Sequence, residues 1–189
     1  MNLFCLAHLV YRVYHSSCTG IPIGATADPK KFKIIFIDVG IMSTACGLNL
    51  LDYEKVEDVM LINSGSICEQ YIGQHLLFSQ QFFKEPELHY WVREKKGSLA
   101  EVDYLIAEGP RIVPVEVKAG KRGTLKSLQI FIQEKRPGMC VRFNSETPSF
   151  FEGLTTLPDR QNTPFRLLSL PLCMVGQTRL LIAQAANDT

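Results

Sequence analysis

The sequence predicts an α/β domain in which a mixed β-sheet is flanked by helices. Three observations predict it: residues 66–83 have the apolar spacing of an amphipathic helix, residues 100–118 have the pattern of a β-hairpin, and residues 113–143 have that of a strand, a helix and a strand. A crossover within one sheet is right-handed and its two strands run parallel. The parallel pair and the antiparallel hairpin therefore give a mixed sheet.

The composition is that of an ordinary folded domain. Of 189 residues, 46% are hydrophobic and 21% are charged, and the net charge of +1 gives no overall attraction to nucleic acid. The six cysteines include no C-x-x-C pair, which indicates free thiols rather than zinc ligands. No apolar run is long enough to span a membrane and no signal peptide is recognisable. We therefore expect a cytoplasmic protein without a membrane partner.

The first 55 residues are predicted to form a β-ribbon and a short helix. Residues 9–15 and 33–38 have strand patterns, and a connection rich in Gly and Pro separates them. Asp38 precedes an apolar run and is a candidate N-cap of the helix, with a catalytic role as the alternative. Because an apolar segment starts at residue 1 without a lead-in, we interpret residues 1–55 as the remnant of a longer upstream region.

A strong helix is predicted over residues 66–83. At about 100° per residue, one half of its surface is apolar and comprises Ile67, Tyr71, Ile72, Leu76, Phe78, Phe82 and Phe83. The other half, apart from Leu77, is predicted to face solvent and carries Gln70, Gln74, Gln80 and Gln81. Glu69 falls at the edge of the apolar arc, where it either reaches across the rim of the core or stays solvated. Gly73, one turn on, allows the helix to approach the sheet closely.

The next predicted elements are a strand over residues 87–94 and a hairpin over residues 100–106 and 112–118, with its turn at Gly109 and Pro110. Side chains alternate along an extended strand. The second hairpin strand therefore has an apolar row, Val113, Val115 and Val117, and an opposite row, Pro114, Glu116 and Lys118.

The position of Asp103 depends on the register of this hairpin. If it lies opposite Pro114 or Glu116, it shares a face with Glu116 and Lys118, and a shift of one residue turns it away. The shared face is favoured because the apolar side chains of the first strand then stack on the valine row; these are Val102, Tyr104 and Ile106.

Asp103 and Glu116 are candidate ligands for Mg²⁺ or Mn²⁺, since hard divalent cations take carboxylate oxygens. Lys118 is the candidate for orienting or deprotonating a water that attacks a phosphodiester. The alternative is a surface ion pair between Lys118 and one of the acids, which contributes only about 0 to 1 kcal/mol.

Basic residues follow the carboxyl end of this strand, where they either meet a phosphate backbone or lie in a solvated loop; they are Lys121, Arg122 and Lys126. A helix with Thr124 as its N-cap is predicted next, and residues 139–143 return as a strand parallel to residues 112–118. Residues 144–164 are predicted to be irregular, residues 166–170 to be an edge strand, and residues 171–186 to contain a closing helix.

The order of helix, three strands, helix and strand resembles the PD-(D/E)XK nuclease superfamily, with Glu69 on the helix, Asp103 on the second strand and Glu116-Val117-Lys118 on the third. The sequence is also similar to a domain of unknown function, in the segments VYRVYH, KFKIIFIDVGIM, SICEQYIGQHLL, HYWVREKKGSLAEVDYLI and IVPVEVKAG. In bacterial and archaeal AAA-type ATPases, that domain follows the P-loop ATPase and winged-helix parts. The resemblance covers about residues 5–145.

The resemblance implies a nuclease-like core over residues 56–146, followed by an irregular segment and closing helix over residues 147–189. It implies Asp103 and Glu116 as metal ligands together with the carbonyl of Val117, Lys118 as the residue that positions or activates water, and Glu69 as an outer-sphere or second-metal carboxylate. Gln129 occupies the place of a residue that positions substrate. The implied activity is Mg²⁺-dependent hydrolysis of DNA, in partnership with a separate or lost ATPase domain.

Two departures from these patterns leave an alternative open. No G-x-x-x-x-G-K-[ST] motif occurs, so this sequence is not itself the ATPase. Val102 precedes Asp103 where the superfamily is named for a proline. The alternative is a non-catalytic module of an ATPase that binds nucleic acid or protein.

Overall fold

The computed structural model describes residues 1–47, 57–79, 83–95, 98–120, 124–157 and 162–187. Short 3₁₀ segments lie at Ile23–Thr26 and Leu172–Gln177. The described helices and strands are, in chain order, α1 (Asn2–Leu6), β1 (Val10–Ser16), β2 (Ala27–Phe36), α2 (Val39–Ala45), α3 (Glu57–Phe78), β3 (His89–Lys95), β4 (Ser98–Glu108), β5 (Arg111–Val117), α4 (Lys126–Lys135), β6 (Met139–Asn144), β7 (Ser149–Leu154), β8 (Pro164–Pro171) and α5 (Thr178–Asn187).

The eight described strands form one mixed sheet in the order β2-β1-β3-β4-β5-β6-β8-β7. The strands β3, β4 and β5 form an antiparallel meander, and β6 lies parallel to β5 across the α4 crossover. The predicted mixed α/β sheet and the predicted parallel unit are both confirmed. None of the described helices is long and apolar enough to cross a membrane.

The predicted opening ribbon is confirmed, since β1 and β2 pair antiparallel. Asp38 caps α2, because its side chain accepts a hydrogen bond from the backbone N–H of Ile41 at 3.1 Å. β1 also pairs in parallel with β3, so the ribbon extends the central sheet. The assignment of residues 1–55 to an upstream region stays a prediction.

Three predictions for the second half were wrong. Residues 149–154 are a strand, although residues 144–164 were expected to be irregular; the exposed Phe150 and Phe151 gave no alternating pattern. β8 lies between β6 and β7 and is therefore not an edge strand. α4 begins at Lys126 after Leu125, and the expected cap Thr124 lies one residue too early. The closing helix is confirmed as α5.

The sheet has a core on each face. On one side α3, α5 and the second 3₁₀ segment cover Tyr104, Ile106 and the valine row of β5. On the other side α4 packs on Trp91, Val102 and their neighbours.

The buried face of α3 differs from the predicted arc. Gln70, which was predicted to face solvent, is buried, and so is Leu77, the apolar exception on that half of the helix. Phe78, by contrast, is 48% exposed, and Phe83 lies beyond the helix with its ring exposed. The amide of Gln70 accounts for its position, because it bonds both backbone groups of Phe36, receiving the N–H at 3.0 Å and donating to the carbonyl at 2.8 Å. Residues 80–82, which include Phe82, Gln80 and Gln81 of the predicted pattern, lie outside the described residues.

Gly73 brings α3 close to the sheet, as predicted. A β-carbon at this position would collide with the Tyr104 hydroxyl and with Ile35. The same hydroxyl donates a hydrogen bond to the backbone carbonyl of Glu69 at 2.9 Å. The close approach therefore fixes the turn of α3 that carries Glu69 over β4.

Candidate metal centre

A β-bulge in β4 determines the direction of the Asp103 side chain. His89 pairs with Leu105 and Trp91 pairs with Val102, so that Asp103 and Tyr104 together lie opposite one residue of β3. An extra residue reverses the alternation of side chains along the rest of a strand. Asp103 and Tyr104 are therefore both on the α3 side of the sheet.

The same bulge corrects the predicted stacking over the valine row. Tyr104 and Ile106 pack there as expected. Val102 lies in the other core, with Trp91 and Phe131. Without the bulge, Val102 and Tyr104 would share one face, and Asp103 would be directed away from α3.

The strands β4 and β5 part next to Asp103. The last paired residues of the two strands are Tyr104 and Val115, so Asp103 and Glu116 lie at the next opposed positions, as in one of the two predicted registers. Beyond that point the Asp103 carboxylate accepts a hydrogen bond from the backbone N–H of Val117 at 2.7 Å. The Asp103 side chain thus links the middle of β4 to the carboxyl end of β5, past the point where their backbone pairing ends. The prediction that Asp103 lies on the face opposite the valine row was wrong, because the bulge turns Asp103 to the α3 side, where that row packs.

Three carboxylates meet at this point. Glu69 from α3 and Glu101 and Asp103 from β4 each have an oxygen within 4.8 Å of the other two. We call these three residues the acid cluster. Lys33 of β2 lies against it, with its Nζ atom 2.5 Å from Glu69 Oε1 and 3.4 Å from Glu101 Oε1.

The predicted pair Glu116 and Lys118 lies close enough to the acid cluster for its charges to interact with those of Asp103 and Glu69. Glu116, a predicted metal ligand, is not one of the three described carboxylates that meet within 4.8 Å. Lys118 Nζ is 2.6 Å from Glu116 Oε1, and the Glu116 side chain is only 5% exposed. Within the described part of the chain, the buried Oε2 atom of Glu116 has no hydrogen-bond partner. This ion pair is therefore not the surface pair that was the alternative prediction.

The charges of these residues are coupled. Burial, together with the neighbouring charges of Glu116 and Glu69, raises the pKa of Asp103 to about 7, although Lys33 and the hydrogen bond from Val117 act to lower it. Burial also raises the pKa of Glu116, against the opposing effect of its hydrogen bond with Lys118. Near neutral pH, Asp103 consequently holds its proton part of the time.

Both lysines are stabilised as cations. Burial lowers the pKa of Lys118, but its hydrogen bond with Glu116 and the nearby acids raise it by more. The pKa of Lys33 is raised in the same way, since the attraction of Glu69, Asp103 and Glu101 outweighs its burial. Two ammonium groups thus oppose four carboxyl groups in this part of the sheet.

The residues fit a hard divalent metal. Carboxylate oxygens are the ligands that Mg²⁺ and Mn²⁺ take, and the acid cluster offers three of them close together. Glu116 Oε2 is a buried carboxylate oxygen without a partner in the described residues, and burying such an atom is costly unless a cation or donor satisfies it. Glu69, Glu101 and Asp103 are thus candidate ligands, with Glu116 beside them.

The remaining predicted site residues are Val117, Lys126, Gln129, Lys121 and Arg122. Val117 contributes its N–H to Asp103, and the role of its carbonyl stays a prediction. Lys126 is exposed at the start of α4. The Gln129 side-chain oxygen accepts hydrogen bonds from the N–H and hydroxyl of Thr156, at 3.1 and 3.4 Å. Lys121 and Arg122 lie outside the described residues.

Sequence reasoning missed Glu101 and Lys33. Glu101 is two residues before Asp103, a spacing that places both acids on one face of a regular strand. Lys33 has no comparable signal, because its strand is far from β4 in the chain. Only the pairing of β1 with β2 and β3 brings Lys33 to the acids.

A separate cavity of about 720 Å³ lies at the opposite end of β4, near Glu108. Two polar contacts line it: Arg179 forms an ion pair with Glu108 at 2.8 Å, and His89 Nε2 lies 3.0 Å from Glu87 Oε1. Its lining shares no residue with the acid cluster or with Glu116 and Lys118.

Comparison with known proteins gives one match. Residues 64–159 match the family described as Domain of unknown function (DUF4143). The matched range contains Glu69, Glu101, Asp103, Glu116 and Lys118 but not Lys33. The comparisons with curated proteins and with solved structures gave no match.

Proposed function

The chain belongs to the DUF4143 family, and since a domain of unknown function carries no assigned activity, we propose one from the site: Mg²⁺- or Mn²⁺-dependent hydrolysis of phosphodiester bonds in DNA. The observation that carries the proposal is the acid cluster itself, with the buried Glu116 carboxylate and the Lys118 amine near enough for their charges to interact with Asp103. That combination of hard oxygen ligands and a cationic donor is what phosphoryl transfer needs.

The order of elements supports a nuclease-like core of the PD-(D/E)XK kind. A helix with Glu69, a strand with Asp103 and a strand with Glu116 and Lys118 follow one another in that pattern, and a helix and a parallel strand complete it. Because one fold hosts many functions, the site residues rather than the topology carry the activity.

Each residue of the candidate site has a separate role in the proposed reaction. Glu69, Glu101 and Asp103 would hold the metal, which when bound would polarise a phosphate oxygen and make a coordinated water more acidic. Lys118 offsets the negative charge that develops on the phosphate and orients the attacking water. Glu116 positions the Lys118 amine through their 2.6 Å contact. The hydrogen bond from Val117 fixes the Asp103 carboxylate between the strands.

DNA is the proposed substrate because the basic residues of this region follow the carboxyl end of β5. Lys126 is the described member of that group, and phosphate contacts by such lysines supply affinity without sequence preference. An ATPase domain, on this chain or a separate one, is the proposed partner that delivers the DNA.

A cleavage assay tests the proposal. Supercoiled and single-stranded DNA are incubated with the protein and Mg²⁺ or Mn²⁺, with EDTA as a blank. Lys118→Ala and Asp103→Asn each lower the rate at least 100-fold, an effect of the size seen when one catalytic electrostatic group is removed. The matched controls, Lys30→Ala and Asp28→Asn on β2, keep the wild-type rate. Metal-dependent cleavage that survives both site substitutions would overturn the assignment.

The second candidate function is a non-catalytic module that binds nucleic acid or protein. The ion pairs of Lys33 with Glu69 and of Lys118 with Glu116 favour it, because they balance part of the acidic charge without a metal. This function predicts no cleavage with any divalent metal and DNA binding whose affinity falls steeply with salt.

A further inference from the structure

Lys33 occupies the acid cluster with a positive charge of the protein's own. Its Nζ atom lies 2.5 Å from Glu69 and 3.4 Å from Glu101, two of the three candidate metal ligands. We propose that the Lys33 ammonium is the resident cation of the acid cluster and that a divalent metal binds only by displacing it. This inference rests on the metal site of the proposed function and adds a control on its occupancy.

Several contacts hold Lys33 in place. Its Nζ atom lies over two aromatic rings, 4.7 Å from the centroid of Tyr104 and 5.3 Å from that of Tyr90. Such rings attract a cation through their negative faces. The double hydrogen bond of Gln70 to Phe36 ties the same strand to α3. Lys33 is therefore aimed at the acids by the fold rather than resting there by chance.

The ammonium also has a route out. The Lys33 side chain is 22% exposed and the neighbouring Glu101 side chain is 45% exposed, so solvent reaches one side of the contact. The flexible four-carbon stem of lysine allows its head to move while the strand stays fixed. The Tyr90 ring offers a second place for the charge next to the cluster.

Displacement follows from electrostatics. An ammonium and a divalent cation that share the same carboxylate oxygens repel each other strongly in a partly buried site. Glu116 Oε2 is an independent indication that a cation or donor is favoured here, because it is buried and has no hydrogen-bond partner in the described part of the chain. Lys33 contacts Glu69 and Glu101, and Lys118 contacts the other oxygen of Glu116, so neither fills this position.

Binding of Mn²⁺ to the full chain tests the proposal directly. Mn²⁺ affinity is measured by calorimetry, with free Mn²⁺ followed by electron paramagnetic resonance, for the wild type, Lys33→Met and Lys31→Met. Methionine keeps an unbranched stem and removes the charge. Lys31 is two residues away on the same strand and pairs with Glu94 instead, so its variant controls for net charge. We expect Lys33→Met to bind Mn²⁺ at least tenfold more tightly than the wild type, and Lys31→Met to stay within twofold.

A second measurement needs no substitution. The rates at which acetic anhydride modifies Lys33 and Lys31 are compared by mass spectrometry, with and without saturating Mn²⁺. Displacement predicts that the metal raises the rate at Lys33 at least threefold and leaves Lys31 unchanged. A rate at Lys33 that falls or stays constant overturns the proposal.

The outcomes separate this inference from the proposed function. Tighter Mn²⁺ binding by Lys33→Met without DNA cleavage supports displacement and removes the hydrolase. Equal or weaker Mn²⁺ binding by Lys33→Met, with cleavage intact, removes displacement and leaves the hydrolase. Absence of Mn²⁺ binding to Lys33→Met at millimolar metal overturns both.

Discussion

Asp103→Asn is expected to stabilise the metal-free protein, and more so at high pH. The pKa of Asp103 lies near 7 in the folded protein, because burial and its acidic neighbours disfavour the ionised form, against a usual value of 3.8. The unfolded carboxyl loses its proton from about pH 4, whereas the folded one keeps it to about pH 7. Between these values the folded state binds more protons, so the free energy of unfolding falls as pH rises. Asparagine has no proton to lose, and its side-chain oxygen still accepts the Val117 N–H.

The size of the effect follows from the two pKa values. Each unit of difference is worth about 1.4 kcal/mol, so full ionisation of Asp103 costs the folded protein on the order of 4 kcal/mol. Part of that loss has occurred by pH 5. Between pH 5 and pH 8 the stability of the wild type should therefore fall by about 2 to 3 kcal/mol relative to Asp103→Asn.

Urea denaturation followed by circular dichroism measures this difference at pH 5, 6, 7 and 8, with EDTA in every sample. Asp28→Asn is the matched control, since Asp28 contacts the backbone N–H of Lys30 on β2 and lies outside the acid cluster. The control should track the wild type at every pH. Parallel stability profiles for the wild type and Asp103→Asn would refute the assignment of a buried, acid-flanked carboxyl at this position.

Three further predictions concern packing and metal. Gly73→Ala should lower the free energy of unfolding by about 1 to 3 kcal/mol, because the added carbon meets the Tyr104 hydroxyl. Thermal melts measure this, with Gly65→Ala as the control. A β-carbon at Gly65 meets nothing within 4 Å, so that variant should be neutral or stabilising. Gln70→Ala should cost about 1 to 3 kcal/mol by leaving the backbone groups of Phe36 without their partner, and an unchanged urea midpoint would contradict this. Mn²⁺ at a hundredfold excess over its Kd should stabilise the wild type by about 2.7 kcal/mol, reversibly with EDTA; no shift at millimolar Mn²⁺ would argue against a preformed site.

The sequence predicted which strands carry the candidate site, but it did not predict all of the residues in it. Alternation along residues 112–118 put Glu116 and Lys118 on one face, and packing on the valine row favoured a register that adds Asp103. In the structure Asp103 lies opposite Glu116 and the charges of the three residues interact, but the bulge and not that packing sets the direction of Asp103. The sequence left undecided whether Glu69 faces solvent or reaches across the rim of the core. In the structure it contacts Lys33 and belongs to the acid cluster. Glu101 was within reach of the same alternation and was overlooked. Whether these residues cleave DNA stays a prediction.

The sequence by itself determined the local elements and the parallel unit of residues 113–143, because periodicity, turn residues and the handedness of crossovers are local properties of a chain. Only the tertiary structure decided which acids meet. The bulge opposite β3 turns Asp103 toward α3, and the strand pairing brings Lys33 from 70 residues earlier in the chain. The packing of both cores determines where a bulge forms, and the order of the strands in the sheet determines which distant strands come into contact. Neither leaves a repeat in the sequence, since both depend on interactions between segments rather than within them.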